Sequence, residues 1–510
     1  MNHKDTVKLE TERLLCPKFN SKVKIPCLVG VLVMILLTVA LLPLNLYVCN
    51  FSAWIVAVLA FLSITGTIVY LKIFRIRGLT KIVLLVIAVL LCGVSSLIAF
   101  TVPYWNSYSY KQYSAETLGY DHTLTLKQAE SDLDEVVSLL ERIHPMFRDG
   151  LTDEIDERYN RAKVHLAEQE QITVNDLRRE IQWVLNPMHD AHTSTYNNYP
   201  NDRYLKDEPQ KFSEGYSVAT VNGMGREELR ELAKPYYSYE TEALISIDAG
   251  SLASLDFYGI EAPYTFVWEK ESGEQITDIY TEEDFVSLEE YRAIDRSFAD
   301  STETEEKPFV WYEIDEEKSL AVLTLTQCNA GAYYNDCVRQ MFMEVKEKNI
   351  QNVAVDLRGN GGGNSLVANE FIKYLPIDTY VGASFDWRWN FLTFHFDGKQ
   401  QNNRYADLTF TGSVYVLTDR NSFSSAMLFP LMIQDNHLGK VIGESPANSV
   451  NSYGDIASFY LKESGLFIQI STKKWERYDT QNQNPGDYVI PDFLCDSGDV
   501  FETLYEVIAK

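Results

Sequence analysis

A chain of 510 residues is too long for one ordinary domain, and its 46% apolar content suits a packed core rather than disorder. The formal charge of −27 is uneven: residues 1–103 hold ten Lys/Arg against three acidic residues (Asp5, Glu10, Glu12), so the other 407 carry −34. A domain that acidic repels a phosphate backbone and disfavours nucleic-acid binding.

Three apolar runs open the chain. Ile25–Val48, Phe51–Tyr70 and Ile82–Pro103 contain no Asp, Glu, Lys or Arg, and each matches the roughly 20 residues a membrane-crossing helix needs. Three spans argue for retention in the membrane, since a cleavable signal has one shorter apolar region. Lys4, Lys8, Arg13, Lys18, Lys22 and Lys24 precede the first span, and Lys72, Arg75, Arg77 and Lys81 separate the second from the third. The loop around Cys49-Asn50 is uncharged. By the positive-inside rule residues 1–24 and the second loop are cytoplasmic, and the chain after Pro103 is extracytoplasmic. Tyr104, Trp105, Tyr108 and Tyr110 suit an aromatic belt at the outer interface.

In the soluble part, Leu126, Leu133, Val136, Val137, Leu140 and Ile143 recur with helical spacing over Thr125–Phe147, and Pro145 stops the run. Thr173–Leu185 reads as a second helix capped by Thr173 or Asn175 and followed by the turn Asn186-Pro-Met-His-Asp-Ala-His-Thr193. Residues 205–300 give weaker, alternating signals. From Phe309 onward strands and helices alternate: strand Ser319–Thr326, helix Tyr333–Lys348, strand Val353–Leu357, helix Ser365–Tyr374, strand Ser413–Leu417, then a further helix. That alternation predicts an α/β core with parallel pairing. Cys328, Cys337 and Cys495 are the only cysteines after the apolar runs, too few and too scattered for a disulfide framework or a CxxC metal site.

Two strand-to-helix junctions have reactive composition. At the first, Gly359, Gly361, Gly362 and Gly363 let backbone amides approach a ligand closely. The window lacks GxxxxGK[ST] and GxGxxG, so an oxyanion hole suits it better than a phosphate site. At the second, Ser422, Ser424 and Ser425 open a helix, where a serine is either an ordinary cap or an exposed nucleophile. A serine nucleophile needs a base. His189 and His192 share one turn, and their HxxH spacing lacks the further ligand a zinc site requires, so no metal or cofactor is assigned.

Taken together the junctions resemble a known family. Val353-Ala-Val-Asp-Leu-Arg-Gly-Asn-Gly-Gly-Gly363 is similar to the DLRxNxGG signature of the tail-specific, C-terminal-processing serine peptidases. Val416-Leu-Thr-Asp-Arg-Asn-Ser-Phe-Ser-Ser-Ala426 resembles their nucleophile segment, Pro491-Asp492 their closing Pro-Asp, and Asp190-Ala-His-Thr193 the D-G-H-T turn of members that use histidine, as in the related tricorn core. The resemblance implies a crotonase-like α/β core over 309–510, behind a helical subdomain at 104–200 and a degenerate PDZ-like region at 201–308. It implies Ser424 as nucleophile, His192 as general base, and the amides of Gly362 and Ser425 as the oxyanion hole. The processing branch instead uses a lysine at a spacing that here falls on Ser449, so the Ser-Lys dyad is absent. The third member falls near Pro485, with Asp487 the nearest acid and Asp455 the runner-up. The implied activity is endoproteolysis of a polypeptide substrate by a membrane-anchored enzyme; the alternative is a catalytically silent, peptide-binding or sensory module.

Overall fold

The structure, a computed structural model, describes residues 21–47, 52–101, 118–196, 202–245, 247–298, 308–478 and 486–510. The chain divides into two units, residues 1–115 with 457–460, and residues 116–456 with 461–510.

In the first unit the apolar runs form helices Ser21–Tyr47, Ala53–Ile73 and Leu79–Thr101. Within them Val23–Leu44, Ala53–Ile73 and Leu79–Thr101 are each long and apolar enough to cross a membrane. A helix satisfies its own backbone polar groups, which is the condition for existing in hydrocarbon. Small side chains lie where the helices meet: Ala60, Ala88 and Cys92 are buried, and Thr38 Oγ1 is 3.2 Å from Ser63 Oγ. The Cys49-Asn50 loop, Lys4, Lys8, Arg13, Lys18 and the aromatic residues Tyr104, Trp105, Tyr108 and Tyr110 lie outside the described residues.

The second unit begins with helices Leu126–Ile143, Asp153–Glu168 and Val174–Leu185. Thr125 and Gln128 cap the first reciprocally, and Thr173 and Asp176 cap the third. Asn175 is not the cap; it is buried and donates to Asp256 Oδ2 at 2.6 Å. Leu133, Val136, Leu140 and Ile143 form the fully buried stripe that the spacing predicts. Asp153–Glu168 escapes the pattern because only Ile155, Ala162 and Leu166 of its residues are buried. A four-stranded antiparallel sheet follows, in the order Met224–Gly225, Tyr216–Val221, Tyr264–Lys270, Gln275–Tyr280.

The core sheet has six strands in the order Val310–Asp315, Leu320–Leu325, Asn352–Asp356, Ser413–Thr418, Lys440–Gly443 and Phe493–Leu494. The first pair is antiparallel and the rest are parallel. Leu323, Val355, Val416 and Val441 stand in one cross-strand row, all fully buried, as strands covered on both faces require. Asp356 pairs with Leu417, so the glycine turn and the serine turn leave adjacent strands at the same edge of the sheet. Open parallel sheets place their ligand sites at that carboxyl edge. In a second sheet Leu392–Phe396 pairs with Ser384–Trp389, which pairs with Phe467–Glu476; Ser194–Tyr196 also pairs with Phe467–Glu476, carrying the histidine turn to the same region. Cys328, Cys337 and Cys495 are free thiols.

One buried carboxylate ties the helical part to a distant turn. Asp132 accepts from the amides of Glu463 (2.9 Å) and Ser464 (2.8 Å) and from Ser464 Oγ (2.5 Å). Removing it leaves three donors unpaired, so Asp132→Ala should destabilise the fold by about 3 kcal/mol. Urea unfolding of the full chain measures this, and an unchanged midpoint would contradict the role.

Candidate active site

Ser424 joins the strand Ser413–Thr418 to the helix Ser425–Asp435 with φ 56° and ψ −119°, a conformation costly for any residue but glycine. The cost is borne by hydrogen bonds on every side. Its amide donates to Asn448 Oδ1 at 3.1 Å, and the Phe423 amide donates to the Asn360 carbonyl at 2.9 Å. Ser422 Oγ donates to the Leu357 carbonyl at 2.8 Å and accepts from the Asp419 amide at 3.0 Å. Ser425 Oγ donates to the Gly363 carbonyl at 2.9 Å. Of the three serines in this turn, Ser422 and Ser425 thus hold neighbouring carbonyls, and Ser424 is the one in the strained conformation, its side chain making no cap to the helix.

The glycine turn is equally fixed. Asn360, fully buried, donates to the Leu325 carbonyl at 2.7 Å and accepts the Gly362 amide at 2.8 Å. Arg358 clamps Asp356 through Nε and an Nη, at 2.9 and 2.8 Å. Gly362 has φ 98°, and a Cβ there would lie 2.7 Å from the Phe423 carbonyl oxygen and 2.8 Å from Ser424 Cβ. Only glycine allows the two turns to touch. The oxyanion role expected for Gly362 needs correction in this conformation: its amide is turned onto Asn360, and Gly362 contributes close approach instead.

His192 follows the 3-10 turn Asn186–Met188 and faces the same cavity as Ser424, a space of about 570 Å³ also lined by Ser425, Gly363, Phe385 and Lys473. Its ring lies 4.7 Å from that of Phe423, the residue before the serine. Its partner in the HxxH spacing does not converge with it: His189 rests against the Tyr239 ring, 5.3 Å away. Beneath His192, Nδ1 is 3.8 Å from both Asp190 Oδ1 and Glu240 Oε1. Neither ring nitrogen of His192 nor Glu240 Oε1 has a hydrogen-bond partner among the described residues.

Asp190 is fully inside the protein. Its Oδ1 accepts the His192 amide at 2.9 Å, and its Oδ2 is 3.0 Å from His144 Nε2. His144 Nδ1 accepts the Met146 amide at 3.2 Å, so the proton must sit on Nε2 and be donated to Asp190. Burial alone would raise the Asp190 carboxyl, but the His144 hydrogen bond and the nearby imidazoles outweigh it and hold the group well below the usual carboxylate range. Burial pushes His192 below an ordinary histidine, with Asp190 and then Asp455 partly opposing. Glu240 is pushed up to about 8 by burial and then by Asp190, against hydrogen bonds from Ser449, Ala191 and Asn448. The donor atoms of Asp190, His192 and Glu240 lie within 4.8 Å of one another. Their 3.8 Å separations exceed the roughly 3.3 Å between ligands at tetrahedral zinc, so orienting an imidazole suits them better than holding a metal.

Asp487 is placed elsewhere. Its carboxylate accepts from Asn451 Nδ2 at 2.5 Å and its carbonyl from the Val450 amide at 2.7 Å, so it braces the loop around Ser449 and makes no contact with His192. Asp455 is ion-paired with Lys473. The acids that reach the histidine are Asp190 and Glu240. Asp190 belongs to the turn that carries His192 and Glu240 to a stretch with no motif; neither was among the acids expected from the sequence, Asp487 and Asp455.

Residues 319–494 match the model of peptidase family S41. Mature CPAF has 12% identity and a TM-score of 0.53, covering 76% of this chain and 96% of that one. Mature CPAF complexed with lactacystin has 13% identity and a TM-score of 0.52, covering 75% and 97%. The photosystem II D1 C-terminal processing protease has 12% identity and a TM-score of 0.41, covering 76% and 98%. No curated protein sequence matches this chain. The family match covers the parallel strands of the core sheet and both turns, and the rest of the chain lies outside it.

Gly362→Ala tests the contact between the turns. A methyl group 2.8 Å from Ser424 Cβ must displace the serine, so peptide hydrolysis should fall by about 100-fold while far-ultraviolet circular dichroism stays unchanged. Near-normal hydrolysis would show that the turns can separate without consequence.

Proposed function

We propose that the chain is a membrane-tethered serine endopeptidase working through Ser424 and His192. The observation that carries this reading is a strained serine and a histidine with buried ring nitrogens facing one cavity, with the histidine ring packed on the residue next to the serine. In the proposed reaction Ser424 Oγ attacks the scissile carbonyl as its proton passes to neutral His192. The imidazolium then returns that proton to the leaving amine, and water hydrolyses the acyl-enzyme by the reverse sequence. The Ser425 amide, at the positive end of the helix Ser425–Asp435, faces the developing oxyanion. Gly362 joins it only if its peptide swings away from Asn360. Asp190 supplies a fixed negative charge beneath the imidazole, itself held by His144. Glu240, displacing Asp487 from this role, is the second acid within reach of Nδ1.

The basic residues before the first span and between the second and third support a cytoplasmic N-terminus, with the catalytic unit extracytoplasmic. The silent, peptide-binding reading draws on one observation: His192 makes no hydrogen bond to Ser424 among the described residues. Catalytic hydrogen bonds are often loose without substrate, and the two readings separate on activity.

Full-length protein in detergent should hydrolyse an unstructured polypeptide, and Ser424→Ala or His192→Ala should each lower kcat by at least about 1,000-fold. Wild-type inactivity toward varied unstructured substrates would favour the silent module. The pH profile gives a second check. Because burial disfavours the imidazolium, neutral His192 persists as the solution is acidified, and the acid limb of kcat/KM should lie below pH 6.5, the ordinary histidine value. Asp190→Asn removes the charge that opposes this shift, so it should move the limb lower still. An acid limb above pH 6.5, or one unmoved by Asp190→Asn, would contradict the assignment of the base.

A further inference from the structure

The cavity beside Ser424 takes part of its lining from the helices that follow the two turns. Leu428 and Met432 lie one and two turns beyond Ser424 on the helix Ser425–Asp435, so they share one face of that helix, and both line the cavity. Asn369 lines it from the helix Leu366–Ile372, which follows the glycine turn. Helical side chains lean back toward the N-terminus, so the Met432 thioether covers the turn before it, roughly 6 Å along the axis from the serine. That is the reach of a long, unbranched side chain.

The far end of this recess carries one polar group with unused donors. The short strands Thr379–Val381 and Lys399–Gln401 pair antiparallel with Tyr380 opposite Gln400, which puts their side chains on one face. Gln400 Oε1 accepts from the Tyr380 hydroxyl at 3.0 Å and from Asn369 Nδ2 at 2.7 Å. Tyr380 is 5% exposed, and its hydroxyl hydrogen has no other acceptor among the described residues. A buried tyrosine hydroxyl needs that partner, so the Gln400 amide is fixed with its oxygen toward Tyr380. Its Nε2 has no hydrogen-bond partner among the described residues. Space is left beside that nitrogen: a Cβ on Gly382 would lie 3.7 Å from Nε2 and 3.8 Å from Met432 Sδ. Met427 and Ala383 add apolar wall. Asp397 and Asp455 also line the cavity, and Lys473, its one lysine or arginine among the described residues, is ion-paired with Asp455.

We propose that this recess binds the side chain of the substrate residue whose carbonyl Ser424 attacks, and that Gln400 selects glutamine there. A glutamine side chain has the reach, packs its methylenes on the apolar wall, and ends in a carbonyl oxygen that accepts from Gln400 Nε2. Norleucine, of similar length, displaces water from those donors and leaves them unpaired. Lysine presents a donor to a donor. Glutamate brings a charge past two carboxylates to a neutral amide, with the one lysine already paired. The proposal rests on the peptidase reading for turnover, but not for binding.

The test uses full-length protein in detergent and unstructured fluorogenic peptides that differ at one position, which is Gln, Glu, Lys, norleucine or Ala. Cleavage sites are mapped by mass spectrometry. Cleavage after Gln should exceed cleavage after Glu, Lys or norleucine by about tenfold in kcat/KM, the worth of one hydrogen bond. Gln400→Glu keeps an acceptor for Tyr380 and Asn369 but removes the donor, so it should place Lys above Gln. Gly382→Ala fills the end of the recess and should lower cleavage after Gln while leaving cleavage after Ala unchanged. A wild-type preference for Lys, Glu or norleucine, equal rates for all, or a Gln preference that survives Gln400→Glu overturns the proposal. Fluorescence anisotropy on Ser424→Ala, alone and with Gln400→Glu, separates the two readings. A Gln preference in binding that Gln400→Glu reverses, without turnover by wild type, upholds the recess and defeats the peptidase. Absence of both preference and turnover defeats both.

Discussion

The candidate site depends on the parallel pairing of Asn352–Asp356 with Ser413–Thr418 and on the hydrogen bonds that lock their two turns together. Asn360 holds the glycine turn from beneath, its carbonyl takes the Phe423 amide, and Ser422 reaches across to Leu357. Left to itself, a serine at φ 56° and ψ −119° would relax into an ordinary helix start. It is kept there because relaxation would break bonds made by its neighbours on both sides. The strain is a consequence of the packing, and it points the hydroxyl outward instead of letting it cap the helix.

The base is prepared by a different means. His192 occupies a site from which water is largely excluded, so its neutral form is favoured by burial. Burial alone would leave the imidazolium unsupported when a proton arrives. Asp190 provides that support, and it can remain charged in the interior because His144 and the His192 amide both donate to it. A chain of fixed donors, from the Met146 amide through His144 to Asp190, thus sets the charge beneath the His192 ring. Glu240 has the opposite tendency, being pushed toward its neutral form by burial and by Asp190. The pair offers one permanent charge and one exchangeable proton within reach of Nδ1.

The parts legible in the sequence are those fixed by local pattern. The apolar runs, the alternating strands and helices after Phe309, and the two motif-bearing junctions all depend on nearest neighbours and periodicity. Asp487 is the acid nearest the spacing that falls on Pro485, but its carboxylate is engaged with Asn451, and Glu240 comes within 3.8 Å of His192 from a segment with no signature, an approach that only tertiary folding decides. The amide of Gly362 escaped for a related reason, since whether a turn amide points inward or outward depends on one asparagine side chain.

The most direct measurement is the site of covalent modification when the full chain is treated with a fluorophosphonate. Peptide mapping by mass spectrometry should place a single phosphonate on Ser424, because in the proposed mechanism His192 takes the proton of that hydroxyl alone of the three in the turn. An adduct on Ser422 or Ser425, or none on this turn, would contradict the account.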